Sequence, residues 1–279
     1  LFLYPTRAIR RKNLGEFLFW AAAAESGDLF AVTLAPQNPA ARSIYEHWVS
    51  LAKRFNLPVE FEIGERLEIL FSTLMRSADA HVTTSVAEGF GLAFLEPWLF
   101  ERPLVGRSLP EITQDFSNEG VDLSHLYNSL WIPADWFKED LLRQKIERAA
   151  RQYFLDYQRP FPPDFTEQVL HSMIRDGRID FGRLDEEWQE QAIAMAAQSP
   201  DARREVNPPN LPVHVNDSII EKNRQVIQNK FNLEQYGKRL SAIYQTVASS
   251  PAGPIEAIDI DRLLDGFLAP ERFTLLRTS

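Results

Sequence analysis

The chain has 279 residues, 44% hydrophobic and 25% charged, enough to bury sizeable cores in one large unit or two ordinary ones. A net charge of −9 argues against nucleic acid as a partner and against a polybasic membrane anchor, both of which draw on excess Lys and Arg. Cysteine is absent, which excludes disulfides and thiolate metal sites, and His47, His81, His125, His171 and His214 show no zinc-type spacing. No apolar run approaches the roughly 18 residues that a membrane span requires, and no signal peptide is visible, so the expectation is a cytoplasmic protein without a transmembrane segment. The chain opens without Met, directly in an apolar strand, and is expected to lack its front half.

Leu1–Pro5 is an apolar run expected as a buried strand. Thr6–Asn13 gathers Arg7, Arg10, Arg11 and Lys12 into a turn ahead of a helix over Leu14–Glu25. Leu29–Ala35 is the next strand, followed by turn residues Pro36–Pro39 and a helix over Ala40–Asn56 whose Ile44, Trp48, Leu51, Ala52 and Phe55 recur at three and four. Val59–Ile63 alternates as a strand and ends at Gly64, and Glu65–Ser77 is expected to be helical. A strand over Ala80–Ser85, with His81 as a core residue, leads through a loop, Val86–Gly91, into a helix, Leu92–Phe100, and a strand, Pro103–Gly106. Strands alternating with helices through short links imply an α/β, Rossmann-like, doubly wound parallel sheet. In such sheets ligands bind at the carboxyl ends of the strands. The tips carrying Arg7–Lys12, Gly64-Glu65 and Glu88–Gly91 therefore converge on one crevice.

The stretch from Asp79 to Glu111 concentrates the chemistry. Gly89 and Gly91 let backbone approach a ligand closely, and the helix expected from Leu92 aims free N–H groups and its positive end at the loop, a seat for a phosphate. Glu88 and Glu96 flank that seat, and carboxylates accept hydrogen bonds from sugar hydroxyls. Arg7 and Lys12 add cations beside a second helix start.

Glu88-Gly89-Phe90-Gly91-Leu92 followed by Glu96 resembles the E-x(7)-E signature of retaining, GT-B-fold glycosyltransferases, family 4 especially. Arg102-Pro103-Leu104-Val105-Gly106 and Ser108-Leu109-Pro110-Glu111-Ile112 are similar to the strand and turn that follow the signature there. The resemblance implies a C-terminal, donor-binding half of a GT-B fold that transfers a sugar from a nucleoside-diphosphate sugar with retention. It implies that Arg7 and Lys12 grip the diphosphate, with Arg11 a substitute for Lys12. Glu88 would bind the transferred sugar and Glu96 the ribose, with Gly89, Phe90, Gly91 and Leu92 lining the donor, and Gly64 and Glu65 lying near the base. No metal and no other cofactor are implied. The acceptor and the N-terminal acceptor domain would lie outside the chain, leaving it inactive or weak alone. Two alternatives share these residues: a non-catalytic nucleotide-sugar-binding module, and a GT-B-fold epimerase or phosphorylase.

Further along, Ser129–Pro133 is expected as a sixth short strand and Lys138–Tyr157 as an amphipathic helix. Residues 158–215 read as a helical insertion containing a helix near Glu186–Gln198, a turn at Arg175–Gly182 and a Pro/Asn-rich link at Asn207–Pro212. Ser218–Lys230 and Leu233–Val247 are closing helices, and Ile255–Leu268 holds one short element in which Asp259-Ile260-Asp261 marks a helix start. The expected division is a nucleotide-sugar-binding core at 1–157, the insertion at 158–215, and closing helices with a tail packing on the core at 216–279.

Overall fold

The computed structural model describes residues 1–208, 211, 215–251, 253 and 257–278. Part of the Asn207–Pro212 link, His214 and the start of the tail element at Ile255 lie outside them.

The strands β1 (Phe2–Arg7), β2 (Phe30–Leu34), β3 (Val59–Glu60), β4 (Ala80–Thr83) and β5 (Leu104–Gly106) form one parallel sheet in the order β3-β2-β1-β4-β5. The helices between them are α1 (Leu14–Ala22), α2 (Pro39–Arg54), α3 (Ile63–Arg66), α4 (Phe71–Ser77) and α5 (Glu96–Leu99). The period of two along each strand sends side chains to opposite faces. Phe2, Tyr4, Phe30 and Val32 enter one core with α1 and α2, whereas Leu3 and Ala31 enter another with Ile63, Leu74 and Met75. The sheet is thus wound on both faces, as expected for a Rossmann-like α/β fold. Asn38 opens α2 by accepting from the Ala40 N–H, with Pro39 in the first turn, and the helix buries Tyr45, Trp48, Leu51 and Ala52 along one stripe.

Two expected helices are interrupted. Glu65–Ser77 divides into α3, an extended link and α4, and Gly64 lies in α3 rather than at a strand end. Leu67, Ile69 and Leu70 in that link stay exposed, so no packing supports a continuous helix there. The helix expected over Leu92–Phe100 begins as a 3₁₀ turn, Leu92–Phe94, and only then gives the four residues of α5. Pro97 lacks an N–H and crowds the residue before it, so it is tolerated only in the first turn of α5. Glu96 consequently begins α5 instead of sitting in a second turn.

Beyond α6 (Pro110–Asn118), the sixth strand, β6 (Trp131–Pro133), does not extend the parallel sheet. After α7 (Glu139–Asp156) and α8 (Phe165–Met173), the chain forms a hairpin of β7 (Ile174–Arg175) and β8 (Arg178–Asp180), and β6 pairs antiparallel with β8. The stretch expected as a turn between two helices is therefore a hairpin, made possible by Asp176 at φ 52° and Gly177 at φ 71°. Two left-handed residues in succession suit the right-handed twist of the flanking strands.

The helices α9 (Glu186–Gln198) and α10 (Pro200–Arg204) follow. Helix α9 packs against α1 so closely that a Cβ on Gly15 would lie 2.1 Å from Gln189 Oε1. Phe165, Val169, Met173, Ile179, Phe181, Ala192 and Ile193 share the core of Phe2, Phe17 and Val82. Next come α11 (Asp217–Lys230), α12 (Leu233–Ser249), α13 (Ile260–Phe267) and α14 (Leu275–Thr278). Ile227 of α11 packs with Phe94, Trp98 and Leu104, whereas α12 buries no residue. Asp259 caps α13 by accepting from the Arg262 N–H, so the D-x-D stretch is a helix start. No helix among the described residues is long and apolar enough to cross a membrane.

His81 on β4 is fully buried, and its Nε2 meets the Met75 carbonyl at 2.8 Å. Burial, with a smaller contribution from the Arg102 charge, lowers its pKa to about 4 despite the opposing Met75 bond. The unfolded chain, with an ordinary value near 6.5, takes up the proton first as pH falls. His81 therefore withdraws stability progressively from about pH 6.5 down to pH 4, on the order of 3 kcal/mol in total. Denaturation midpoints measured across this range should fall more steeply for the wild type than for His81→Gln; parallel curves would refute the assignment.

Candidate functional site

Strands β1 and β4 are adjacent and parallel, so the segments leaving their carboxyl ends run side by side. The β1 segment turns through a 3₁₀ helix, Arg10–Lys12, to Asn13, whose left-handed backbone (φ 51°, ψ 57°) redirects the chain into α1. It is fastened to the β4 segment by hydrogen bonds. The Val86 N–H donates to the Arg11 carbonyl at 3.0 Å, and the Thr84 hydroxyl to the Lys12 carbonyl at 3.0 Å. Tyr4 donates its hydroxyl to the same Lys12 carbonyl at 3.0 Å and lies 2.9 Å from Ser85 Oγ. Burial pushes the Tyr4 phenol up to about 12, so it stays a neutral donor.

This fastening brings the expected cations and carboxylate together. Lys12 Nζ donates to Glu88 Oε1, which also receives the Ser85 hydroxyl at 2.6 Å. Arg11 Nη1 reaches Glu88 Oε2 at 3.3 Å and the Ala87 carbonyl at 3.2 Å. Arg7 ends β1, half-buried, with its buried Nη1 lacking a partner among the described residues. The basic cluster is divided, because Arg10 turns away and clasps Glu186 of α9 through bonds of 2.6 and 2.7 Å. Partial burial raises the Glu96 pKa, and the charge of Lys12 offsets part of that rise.

In the loop, Gly91 adopts φ 72°, and a Cβ there would lie 2.5 Å from Ile112 Cγ2, so both backbone and packing demand glycine. Gly89 has open space around it, and Phe90 and Leu92 are exposed. The N–H groups of Gly89, Phe90, Gly91 and Leu92 donate to no protein acceptor among the described residues. Gly89, Phe90 and Leu92 are exposed and so open to an anion, whereas Gly91 is buried, and the short helices behind them do not supply the dipole expected from a long one. Glu65 stands apart from this cluster, exposed on an open groove of about 570 Å³ with Ala35, Pro36, Gln37, Arg42 and Glu46. No hydrogen bond among the described residues joins it to Arg7, Lys12, Glu88 or Glu96.

Behind the site lies a buried polar network that sequence reading missed. The Arg107 guanidinium, just past β5, donates to Glu16 of α1 through Nε (3.0 Å) and Nη2 (2.7 Å). It also donates to Asp180 of β8 through Nη1 (3.0 Å) and Nη2 (2.7 Å). Burial alone would lower the Arg107 pKa, but Asp180 and Glu16 outweigh it and hold the pKa well above its ordinary value. Glu16 also accepts from Tyr127 (2.8 Å) and from Asn13 Nδ2 (2.8 Å), while Asn13 Oδ1 accepts from Gln189 at 2.9 Å. The residue after Lys12 is thus held from beneath. Arg107 and Glu16 are 91 positions apart, and the pattern of either segment gives no signal of the pair.

The chain is 32% identical over 188 residues to mannosylglucosyl-3-phosphoglycerate synthase of Petrotoga mobilis (strain DSM 10674 / SJ95), a glycosyltransferase. The similarity covers 67% of this chain, which spans 36% of that relative's length. No family model matches the chain, and no solved structure matches it significantly.

Replacing Arg107 by Met would leave Glu16 and Asp180 buried without their shared cation, at a cost of about 3–5 kcal/mol. Adding Glu16→Gln should return part of that loss, so the two substitutions should be strongly non-additive in urea unfolding. Additive losses would mean that the two side chains do not depend on each other.

Proposed function

We propose that this chain is the donor-binding, C-terminal half of a retaining GT-B-type glycosyltransferase, family 4-like, that transfers a sugar from a nucleoside-diphosphate sugar. The observation carrying the proposal is the meeting of Lys12 and Arg11 with Glu88 where the β1 and β4 segments leave the sheet, beside loop N–H groups without protein acceptors. Similarity to a glycosyltransferase supports it.

As the bond between the anomeric carbon and the β-phosphate oxygen breaks, negative charge grows on the departing diphosphate. Cations fixed in a partly desolvated site stabilise that charge without rearranging. Arg7 and Lys12 take this role, with the N–H groups of Gly89 to Leu92 assisting and Arg11 available beside them. Glu88 accepts hydroxyls of the transferred sugar, and Glu96, raised in pKa yet within the influence of Lys12, accepts those of the ribose. We assign Gly64 and Glu65 to the base, with Glu65 on the groove at Ala35 and Arg42. The reaction so drawn uses no metal. The relative's name denotes synthesis of a mannosylglucosyl-3-phosphoglycerate. For the whole protein we extend this to an acceptor hydroxyl on a glycosylated organic phosphate, supplied with the aid of a separate acceptor domain, in the cytoplasm.

Calorimetric titration with UDP, GDP and ADP, each beside its common sugar conjugates, tests the reading. Saturable binding of one base is expected, weakened roughly 10- to 100-fold in Lys12→Ala, which loses a charge-assisted contact. Glu96→Ala should weaken binding of nucleotide and conjugate alike. Folded protein that binds none of them would count against the proposed site.

A further inference from the structure

The groups assigned above to diphosphate and sugar are bound to each other. Glu88 accepts from Lys12, Arg11 and Ser85, and its side chain is only 7% exposed against 12% for Lys12. Any phosphate that reaches Lys12 must share that cation with the carboxylate. Two effects then depend on what the phosphate carries.

The first is charge. The terminal phosphate of a free nucleoside diphosphate bears about 1.5–2 negative charges at neutral pH, because its second proton leaves near pH 6. Esterified to a sugar, the same phosphate bears one. In a site this shielded from solvent, salt screens the repulsion from Glu88 weakly. The second is hydrogen bonding. When Lys12 turns to the phosphate, Glu88 loses a donor, and a low-exposure carboxylate left short of donors is costly. A sugar conjugate brings hydroxyls that replace the lost donor, whereas the free diphosphate brings none.

Arg7, Arg11 and Lys12 attract the added charge of the free diphosphate, and Glu88 works against them; the two effects of Glu88 itself act in one direction. We propose that Glu88, through its ion pair with Lys12, discriminates the sugar conjugate from the free nucleoside diphosphate, so that the site holds the donor and expels the diphosphate left after transfer. The selectivity comes from a repulsive element as well as an attractive one. The inference rests on the reading that Lys12 faces the diphosphate.

The test is titration of the 279-residue chain and its Glu88→Gln variant with UDP, GDP and ADP and with the matching sugar conjugates. In the wild type the conjugate of one base should bind at least about tenfold tighter than the free diphosphate. In Glu88→Gln the free diphosphate should gain about tenfold in affinity and the gap should close. Glu88→Ala, also neutral but smaller, should show the same gain, and guards against a folding defect peculiar to one variant. A free diphosphate that binds the folded variants no better than the wild type overturns the discrimination, while wild-type binding that disappears in Lys12→Ala leaves the donor site standing. Wild-type protein that binds neither ligand overturns the donor site and the discrimination together.

Discussion

The molecule depends on one guanidinium. Arg107 lies between two carboxylates drawn from distant parts of the chain, Glu16 on α1 and Asp180 on β8, and joins the parallel sheet to the smaller antiparallel one. A charge this deeply buried is tolerable only when its partners are fixed in place, and those partners are equally costly without it. The geometry is correspondingly closed: Tyr127, Asn13 and the Asn128 carbonyl complete the hydrogen bonding around the group. Through Asn13 this buried polarity continues to the surface, where the residue beside it is Lys12. The front of the site and the back of the core are one hydrogen-bonded body.

Much of the fold was legible in the sequence. The apolar runs at Phe2, Phe30, Ala80 and Leu104 have the length and continuity of strands covered on both faces, and helices of ordinary spacing separate them. The convergence of the β1 and β4 segments follows from topology, which is why Lys12 and Glu88 are expected on one crevice, whereas their ion pair is not legible in the sequence. The errors have local causes. Pro97 stopped a helix that hydrophobic spacing would have carried through, and the link at Leu67–Leu70 had apolar residues but no surface to bury them. The Asp176-Gly177 pair suits a hairpin better than the expected turn between two helices, since two left-handed residues between Ile174 and Ile179 favour strands. The Arg107 network was not legible, since a long-range ion pair leaves no periodicity in either of the segments it joins.

Packing and polarity divide the work around the sheet. One face carries the continuous core shared with α9 and the hairpin, and Gly15 lets α9 approach α1. The polar groups are gathered at the carboxyl ends of the strands, held by Tyr4, Thr84 and Ser85, residues that are themselves buried. Helix α12 stands outside both arrangements, with Leu233, Tyr236, Tyr244 and Val247 exposed. Its amphipathic pattern is a property of the sequence that the described residues do not use.

The 3₁₀ turn at Arg10–Lys12 has a consequence for how this stretch can change. In such a turn successive side chains differ by about 120°, so neighbours in sequence face different directions. Arg10 meets Glu186 on α9, while Lys12 meets Glu88 on the β4 side. Losing or gaining one residue within this turn would rotate the cations after the change by about a third of a revolution relative to those before it, so that Arg10 and Lys12 would not both keep their partners. Exchange of an exposed side chain such as Arg11 leaves that geometry intact. The stretch is therefore read by counting: its spacing is under tighter constraint than its chemistry, and insertions or deletions should be rarer there than substitutions.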